Sequence, residues 1–384
     1  MEWKIWMSLR RVTSSGRYIP EIDGLRFVAI MSVLFYHLGM MSLMGCGLCF
    51  PLPPTTLGRA IVFHLDRGVP VFFAISGLVL GLPFAEQYLA GGRTVNLKAY
   101  FLRRITRLEP PYIVNLLMRF PLVVAVKHVP FETALPHLLA SLVYLHWLVY
   151  GVYPTIHPPS WSLEIEVQFY ILAPLLALLF FPRRAWLRRI GLLAAIIAFG
   201  IVRAHTPLSP ETRFNLSLGC FAQYFLAGLL MADGFLTVLP RIRSSLLWDA
   251  VGIPLWFGVF FVGDRAAGYF MPLMLFGAFL AAFRGRLLNR FFCNPFVATV
   301  GGMCYSIYLT HSLVLQACYA AIAKLHFVQG YNGLYAAGVL IALPIILLVG
   351  TVFYVLIERP CMDRNWPKKL GQYARERFAV GAAS

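Results

Sequence analysis

The first apolar segment of the chain reads Asp23-Gly-Leu-Arg-Phe-Val-Ala-Ile-Met-Ser-Val-Leu-Phe-Tyr-His37, with its arginine and histidine eleven positions apart. Eleven residues make about three turns of an α-helix, so Arg26 and His37 leave one helix face about 16 Å apart along the axis. An ionisable group inside a spanning helix is costly unless it faces a protein cavity. The pair therefore predicts a functional site within a membrane.

The composition indicates a membrane protein. Of 384 residues, 59% are hydrophobic and only 13% are charged, and apolar runs reach spanning length repeatedly. The net charge of +17 could favour nucleic-acid binding. However, the lysines and arginines cluster in short loops between apolar segments, where they set orientation and meet anionic lipid. We therefore expect an all-α, polytopic protein that contacts membrane lipid and no nucleic acid.

The basic loops predict the number of spans. Eleven apolar segments run at about 25–44, 68–84, 110–128, 134–150, 161–181, 187–203, 216–235, 248–262, 269–283, 296–323 and 334–357. Six basic stretches have the character of cytoplasmic segments: the N-terminus, 98–107, 183–189, 241–243, 284–290 and 359–377. A stretch that begins and ends on one side crosses an even number of times. About ten spans are therefore predicted, with both termini cytoplasmic.

The segment left over lies between residues 108 and 182. The simplest assignment lets 110–128 leave and 161–181 return, so that 134–150 is a tilted or re-entrant segment on the outer side. Such a segment persists at membrane depth only where protein or a water-filled cavity satisfies its backbone. A cavity is therefore expected nearby.

Residues 1–384 are interpreted as a single membrane domain. Residues 1–20 lack an apolar signal core and are expected to be a retained interfacial segment, and 358–384 a cytoplasmic tail. Seven cysteines, mostly in apolar stretches, give no disulfide framework. Cys46-Gly-Leu-Cys49 is half a metal site at best, so packing or a local oxidised pair is the alternative and no metal is predicted.

The first segment offers three candidate residues. Asp23 precedes Arg26 by three residues and can pair with it across one helical turn. Arg26 could also be an inner-surface anchor, and His37 a structural histidine with satisfied hydrogen bonds. A buried imidazole needs such partners, so the functional interpretation of His37 is favoured.

Two further motifs suit a slender, phosphate-rich ligand. Ser76-Gly77 lies in the second apolar segment, where small residues let a backbone or ligand approach closely, although ordinary helix packing is the plainer interpretation of the pair taken alone. Arg104 and Arg107 share a face at i,i+3 near the predicted cytoplasmic surface. Their guanidinium groups could bind phosphates bidentately or serve only as positive-inside anchors.

The segment that starts Pro158-Pro-Ser-Trp161-Ser-Leu-Glu-Ile-Glu166 carries the candidate acid. Trp161 suits the membrane interface, and Glu166 shares a helix face with Ser162 and Tyr170. Glu166 would approach His37 from the outer side, while Glu164 points the other way. A solvated glutamate at the outer edge is the alternative for both acids.

Two late motifs are less specific. Gly301-Gly-Met-Cys-Tyr-Ser-Ile-Tyr-Leu-Thr-His311 places a second histidine within a span, where packing with a satisfied imidazole is the plainer interpretation. Glu358-Arg359-Pro360 ends the last segment and is interpreted as an anchoring and stop signal.

Together and in this order, the motifs resemble those of the bacterial membrane-bound acyltransferase 3 family, which acylates hydroxyl groups on sugars and related acceptors. The matching elements, over nearly the whole chain, are Asp23–Arg26 with His37, Phe72–Gly77, Arg104 with Arg107, Trp161–Leu163 with Glu166 and Phe169-Tyr170, Tyr305-Ser306 with His311, and Glu358 with Pro360. No single element is specific, but six in register are.

The resemblance implies about ten spans in the bacterial cytoplasmic (inner) membrane, acyl-coenzyme A as cytoplasmic co-substrate, with acetyl-coenzyme A favoured, and an acceptor on the outer side. It also implies that Arg26 and His37 are essential. Family members often carry a C-terminal hydrolase-like domain, for which this chain is expected to be too short. The carbohydrate or glycoside acceptor would then meet the membrane domain itself or a separate extracytoplasmic partner.

The resulting hypothesis is an O-acyltransferase. Arg104 and Arg107, with Arg26, would hold the coenzyme A phosphates while the thioester arm passes Ser76. His37 would act as general base, oriented by Glu166. Supporting residues are Asp23, Trp161, Ser162, Tyr170 and His311. A transporter of a lipid-linked sugar would share the spans and buried charges but would move substrate without consuming acyl-coenzyme A, and a sensor or scaffold would need neither.

Overall fold

The computed structural model describes residues 9–11, 18–45, 57–206, 213–325, 328–363 and 366, and it contains no β-strand in these residues. The helices are α1 Pro20–Gly45, α2 Leu57–Phe63, α3 Gly68–Leu89, α4 Leu97–Ala125, α5 Phe131–Leu142, α6 His146–Tyr150, α7 Trp161–Leu176, α8 Ala185–His205, α9 Leu218–Thr237, α10 Leu246–Phe261, α11 Asp264–Arg284, α12 Arg286–Phe292, α13 Pro295–Gly302, α14 Cys304–Ile322, α15 Gly330–Ala337, α16 Leu343–Phe353 and α17 Arg359–Cys361. Short 3₁₀ or π segments join several of them. The predicted all-α fold is confirmed.

Seven helices among the described residues are long and apolar enough to cross a membrane. They are Pro20–Gly45, Ala60–Leu89, Pro158–Phe180, Ala185–His205, Arg213–Thr237, Ala266–Arg284 and Gly330–Cys361. The ten predicted spans would be completed by three further elements, which are the shorter apolar α10, the polar α4 and the α13–α14 pair. The polytopic architecture is thus confirmed, while the count of ten stays a prediction.

The segment 134–150 is broken and does not form one long helix. It forms α5, of 12 residues, and α6, of 5, separated at Tyr144, whose φ of 57° is left-handed. Twelve helical residues rise about 18 Å, well short of the roughly 30 Å hydrocarbon layer. Neither helix is therefore long enough to cross alone.

The basic stretch 98–107 is not a loop. It forms the first turns of α4, which begins at Leu97 because the Asn96 side chain accepts a hydrogen bond from the Ala99 amide at 2.9 Å. No helix breaker follows until Pro110 and Pro111, which α4 accommodates. Arg104 and Arg107 therefore stand on a rigid helix.

The buried side chains form two apolar cores that meet at α1. The N-terminal half of α1, with Ile22 and Leu25, belongs to a core built largely on α3, α9 and α11. Its following turns, with Leu34 and Leu38, belong to a core built on α4, α14 and the last helices. A site on α1 consequently lies between two packed halves.

Glycines set how closely helices pack around this region. A Cβ on Gly77 of α3 would lie 2.1 Å from the Phe225 carbonyl oxygen of α9, and one on Gly228 of α9 would lie 2.1 Å from the Ala74 carbonyl oxygen. A Cβ on Gly301 would lie 1.7 Å from the Asp23 carbonyl oxygen. Gly77 thus serves helix packing, which leaves the neighbouring Ser76 as the candidate for the site.

Candidate active site between the two cores

A cavity of about 1520 Å³ opens between the two cores. It exceeds the roughly 300–1,000 Å³ of an ordinary small-molecule pocket. Its walls come from α1, α3, α4, α7, α14 and the end of the last helix. The predicted residues Asp23, Arg26, Ser76, Arg104 and Arg107 all line it. So do Ser162, Glu166 and Tyr170.

Arg26 is held in the wall by an acid from its own helix. Its Nη1 donates to Asp23 Oδ1 at 2.6 Å, the i,i+3 pair predicted from spacing. Arg11 also approaches Asp23, with Nε 3.9 Å from Oδ1. Asp23 is 2% exposed, so one buried carboxylate stands between two guanidinium groups. The net charge of this part of the wall is positive.

Arg104 is positioned by aromatic rings. Its guanidinium carbon lies 3.6 Å from the centre of the Tyr100 ring and 5.8 Å from that of Tyr170. Its Nη1 donates to the Tyr100 carbonyl oxygen at 2.8 Å. A guanidinium held over an aromatic face keeps its charge and most of its donors available.

Arg107 faces the end of the last helix, where the sequence predicted only a stop signal. Glu358 is instead fully buried, and its Oε2 accepts hydrogen bonds from the Ser306 amide at 3.1 Å and hydroxyl at 2.5 Å. Its Oε1 lies 4.0 Å from Arg107 Nη2. The helix continues through Glu358 to Cys361, so this acid belongs to the cavity wall.

The cavity wall presents buried donors that no protein group accepts. The Nε atoms of Arg11, Arg104 and Arg107 are buried and make no hydrogen bond in the described part of the chain. A buried, unpaired donor is expensive, and a phosphate or other anion would satisfy several at once. This end of the cavity therefore has the chemistry of an anion site.

Farther along the cavity, Ser76 and Glu166 form a pair. The Ser76 hydroxyl donates to Glu166 Oε1 at 2.5 Å, joining α3 to α7. Tyr170, one turn on from Glu166, lies beside the carboxylate. Glu166 is thus part of the cavity lining and not a solvated edge residue.

The other acid of α7 has a different role. Glu164 is 1% exposed, and its Oε2 accepts from the Trp147 amide at 2.9 Å. This bond attaches α6 to α7. The alternative of a solvated outer-edge glutamate is therefore wrong for Glu164, because its face of α7 packs on the broken segment.

His37 lies just beyond the cavity wall. Its Nδ1 is 2.8 Å from the carbonyl oxygen of Val33, a lining residue one turn earlier. A carbonyl can only accept, so a neutral imidazole here carries its proton on Nδ1 and its lone pair on Nε2. The residue as a whole is half-buried. His37 is therefore preset as a proton acceptor at Nε2.

The partner of His37 is a second histidine. The His37 and His311 rings have centroids 4.9 Å apart. His311 is fully buried and bonds the Tyr308 carbonyl oxygen through Nδ1 at 2.6 Å, which leaves its Nε2 without a hydrogen bond to described residues. The sequence predicted His311 as a supporting residue, and the structure brings it to His37.

The expected contact between Glu166 and His37 is not formed. His37 Nδ1 is satisfied by its own helix and the Glu166 carboxylate by Ser76, so no hydrogen bond among the described residues joins the two. The physical reason is that both groups find partners on closer elements. Glu166 and His37 are therefore not a hydrogen-bonded dyad in this structure.

The remaining predicted residues pack around this centre. The Ser162 hydroxyl lies 3.0 Å from the Tyr308 hydroxyl, which also donates to the Pro159 carbonyl oxygen. Trp161 does not line the cavity and packs its ring 5.8 Å from that of Phe221. Tyr308 was not a candidate from the sequence, although its position three residues before His311 places it on the same helix face.

No metal site is found where the structure is defined. No group of three or more His, Cys, Asp or Glu residues there could hold an ion. Cys220, Cys293, Cys304, Cys318 and Cys361 are unpaired. The Cys46-Gly-Leu-Cys49 motif lies outside the described residues, as do most of segment 1–20 and of tail 358–384.

Comparison with known proteins gives a consistent family. A family model described as an acyltransferase domain matches residues 19–355. A Staphylococcus aureus (strain COL) protein provisionally named an O-acetyltransferase is 26% identical over 95% of this chain and 61% of its own length. The O-acetyltransferase OatA of S. aureus (strain NCTC 8325) is 26% identical over 94% of this chain and 61% of its own.

This chain thus spans 61% of the length of those curated relatives. No solved structure matches it significantly. The family match covers most of both cores and of the cavity lining, including every predicted site residue from Asp23 to His311, while Arg11 and Glu358 of the cavity wall lie outside it. The chain therefore belongs to the acyltransferase 3 family of membrane proteins.

Proposed function

We propose that this protein is an integral membrane O-acyltransferase that moves an acetyl group from cytoplasmic acetyl-coenzyme A to a hydroxyl group of an extracytoplasmic sugar, glycolipid or polysaccharide. The observation that carries the proposal is one continuous cavity with unpaired arginine donors at one end and, at Val33, the residue that holds His37. The setting would be a bacterial inner membrane with both termini cytoplasmic.

The arginine end suits the donor. Coenzyme A carries several phosphate groups, and Arg26, Arg104 and Arg107 offer charge-assisted donors to them. From Arg26 to Val33 is seven residues, or roughly 10 Å along α1. An extended pantetheine arm could cover that distance past Ser76 and bring its thioester toward His37.

The chemistry assigned to His37 is general-base catalysis. His37 Nε2 would take the proton of the acceptor hydroxyl as the oxygen attacks the thioester carbonyl carbon. The carbon–sulfur bond then breaks, the thiolate takes the proton from the imidazolium, and the products are an acetyl ester and free coenzyme A.

The direct test is purified protein in proteoliposomes, given radiolabelled acetyl-coenzyme A and envelope glycans of the source cells. His37→Ala should lower acetyl transfer about 100-fold or more, because a positioned general base contributes that order of acceleration. His205→Ala is the matched control, since His205 Nδ1 bonds the Ile201 carbonyl oxygen in the same way but is exposed. Equal turnover by the His37 variant and wild type would reject the role.

Donor binding is tested without turnover. Titration of coenzyme A into nanodisc-embedded protein should give about 10- to 100-fold weaker binding for Arg104→Gln and Arg107→Gln, because each removes a charge-assisted hydrogen bond. Arg183→Gln is the control, as Arg183 is exposed and outside the cavity. Unchanged binding in both cavity variants would reject the donor role of these arginines, and the enzyme would then no longer be distinguished from the transporter and the sensor or scaffold.

A further inference from the structure

A second polar cluster lies beyond Tyr308, outside the residues assigned to the donor. It consists of Arg119 on α4, His157 before α7, and His311 on α14. These side chains are 3%, 0% and 0% exposed. Burial of a guanidinium beside two imidazoles leaves one charge that needs a counter-ion and ring nitrogens that need hydrogen-bond partners.

Arg119 has hydrogen bonds but no counter-ion. Its Nε donates to Asn115 Oδ1 at 2.9 Å, and its Nη2 donates to the Leu309 carbonyl oxygen at 3.0 Å and the Ser312 hydroxyl at 2.9 Å. All these acceptors are neutral. No described carboxylate lies within ion-pair distance of Arg119, and the hydrogen bonds of Arg119 to described residues use Nε and Nη2 but not Nη1.

The two histidines add unpaired nitrogens. Both ring nitrogens of His157 and the Nε2 atom of His311 are buried without a hydrogen bond to the described protein. His157 lies within electrostatic range of Arg119, His311 and His37. Arg119 and the two imidazoles therefore form one buried polar cluster, in which the Arg119 charge has no counter-ion among the described residues.

This cluster adjoins the reacting centre on the side away from the donor. The His311 ring is 4.9 Å from that of His37, and the Tyr308 ring is 5.9 Å from those of His157 and His311. Arg104 and Arg119 are fifteen residues apart on α4, roughly 22 Å along the helix. One set of phosphates at the arginine end cannot also occupy this cluster.

We propose that Arg119, His157 and His311 bind an anionic group, a carboxylate or phosphate, carried by the acceptor whose hydroxyl group His37 deprotonates. This inference rests on the proposed function. The acceptor would then be an acidic sugar or glycoside, fixed by an ion pair to Arg119 so that a neighbouring hydroxyl faces His37 Nε2. The anionic group would be the counter-ion that no described side chain provides to Arg119.

The test measures binding, so it needs no turnover. Purified protein in nanodiscs is titrated with methyl β-glucuronide, glucose 6-phosphate and methyl β-glucoside at constant ionic strength. The wild type should bind at least one acidic sugar tenfold or more tightly than the neutral one. Tighter binding of the glucuronide would identify a carboxylate as the preferred group, and tighter binding of glucose 6-phosphate would identify a phosphate. Absence of any preference for an acidic sugar would overturn the proposal.

Variants assign the preference to the cluster. Arg119→Gln should abolish it and Arg119→Lys should restore part of it, while Arg104→Gln should keep it and lose affinity for coenzyme A. Coenzyme A binding by Arg119→Gln reports that this variant is folded. If it is not, His157→Leu, which leaves the bonds of Arg119 intact, should reduce the preference instead. Persistence of the acidic preference in a folded Arg119→Gln variant would also overturn the proposal.

The two proposals fail separately. If the wild type transfers acetyl to no acceptor but still binds acidic sugars more tightly than neutral ones, the enzyme function is rejected and the anion site stands. Transfer to neutral and acidic acceptors alike, with equal affinities, would reject the anion site and leave the enzyme function.

Discussion

At the scale of single residues, contacts close in sequence were predictable and distant ones were not. The pairing of Arg26 with Asp23 follows from an i,i+3 spacing. The bond from Ser76 to Glu166 spans 90 positions, and that from Arg119 to Leu309 spans 190. Such contacts depend on how helices meet, which spacing along one helix does not determine. The missing bond between Glu166 and His37 has the same cause.

The Ser76 to Glu166 bond predicts a measurable coupling. Ser76→Ala should lower kcat/KM for acetyl transfer about tenfold or more, because a hydrogen bond to a charged group contributes about 1.5–3 kcal/mol. In a Glu166→Gln background the same change should have little further effect, since its partner is already altered. The measurement is a double-mutant cycle on purified protein.

Thr351→Val serves as the control for this cycle, because the Thr351 hydroxyl bonds only the Leu347 carbonyl oxygen of its own helix, at 2.7 Å. It should leave kcat/KM unchanged. Additive losses for Ser76→Ala and Glu166→Gln would show that the two side chains act independently.

At the scale of helices, the sequence located most elements but not all their ends. Apolar runs correspond to α1, α3, α7, α8, α9 and α11. Hydropathy and charge predict a loop at the polar start of α4, whereas the Asn96 cap and the absence of a helix breaker before Pro110 produce a helix there. Cap and breaker signals would have placed the arginines on a helix.

Helix packing at Gly228 predicts a stability change. Gly228→Ala would place a methyl group 2.1 Å from the Ala74 carbonyl oxygen, so α3 and α9 must separate. Overpacking of this kind costs about 1–3 kcal/mol, and thermal unfolding in detergent should show a lower Tm. Because Ser76 is on α3, acetyl transfer should fall as well.

Gly191→Ala is the matched control for that change. Gly191 lies within α8, and a Cβ there has no atom within 4 Å. Alanine is the better helix former by about 1 kcal/mol, so Tm should be unchanged or higher. A Gly228→Ala protein as stable as Gly191→Ala would contradict the close packing of α3 on α9.

At the scale of the whole molecule, the two apolar cores explain why the cavity lies where it does. Each core packs its own helices, and α1 contributes side chains to both. Polar side chains that neither apolar core can accommodate line the cavity between the cores. They include Arg11, Arg26, Glu166 and Glu358. The sequence predicted that a cavity must exist, but its walls come from segments more than 300 residues apart and required the fold.

The orientation of the whole chain gives the last prediction. The even count places residue 93 on the cytoplasmic side and residue 127 on the outer side, because α4 is expected to cross between them. Arg93 and Lys127 are both exposed, so cysteines substituted there can react. In intact cells a membrane-impermeant maleimide should label Lys127→Cys and spare Arg93→Cys, and inside-out vesicles should reverse the pattern. Labelling of both positions from one side would show that α4 does not span, and it would contradict the proposed transfer from a cytoplasmic donor to an acceptor on the outer side.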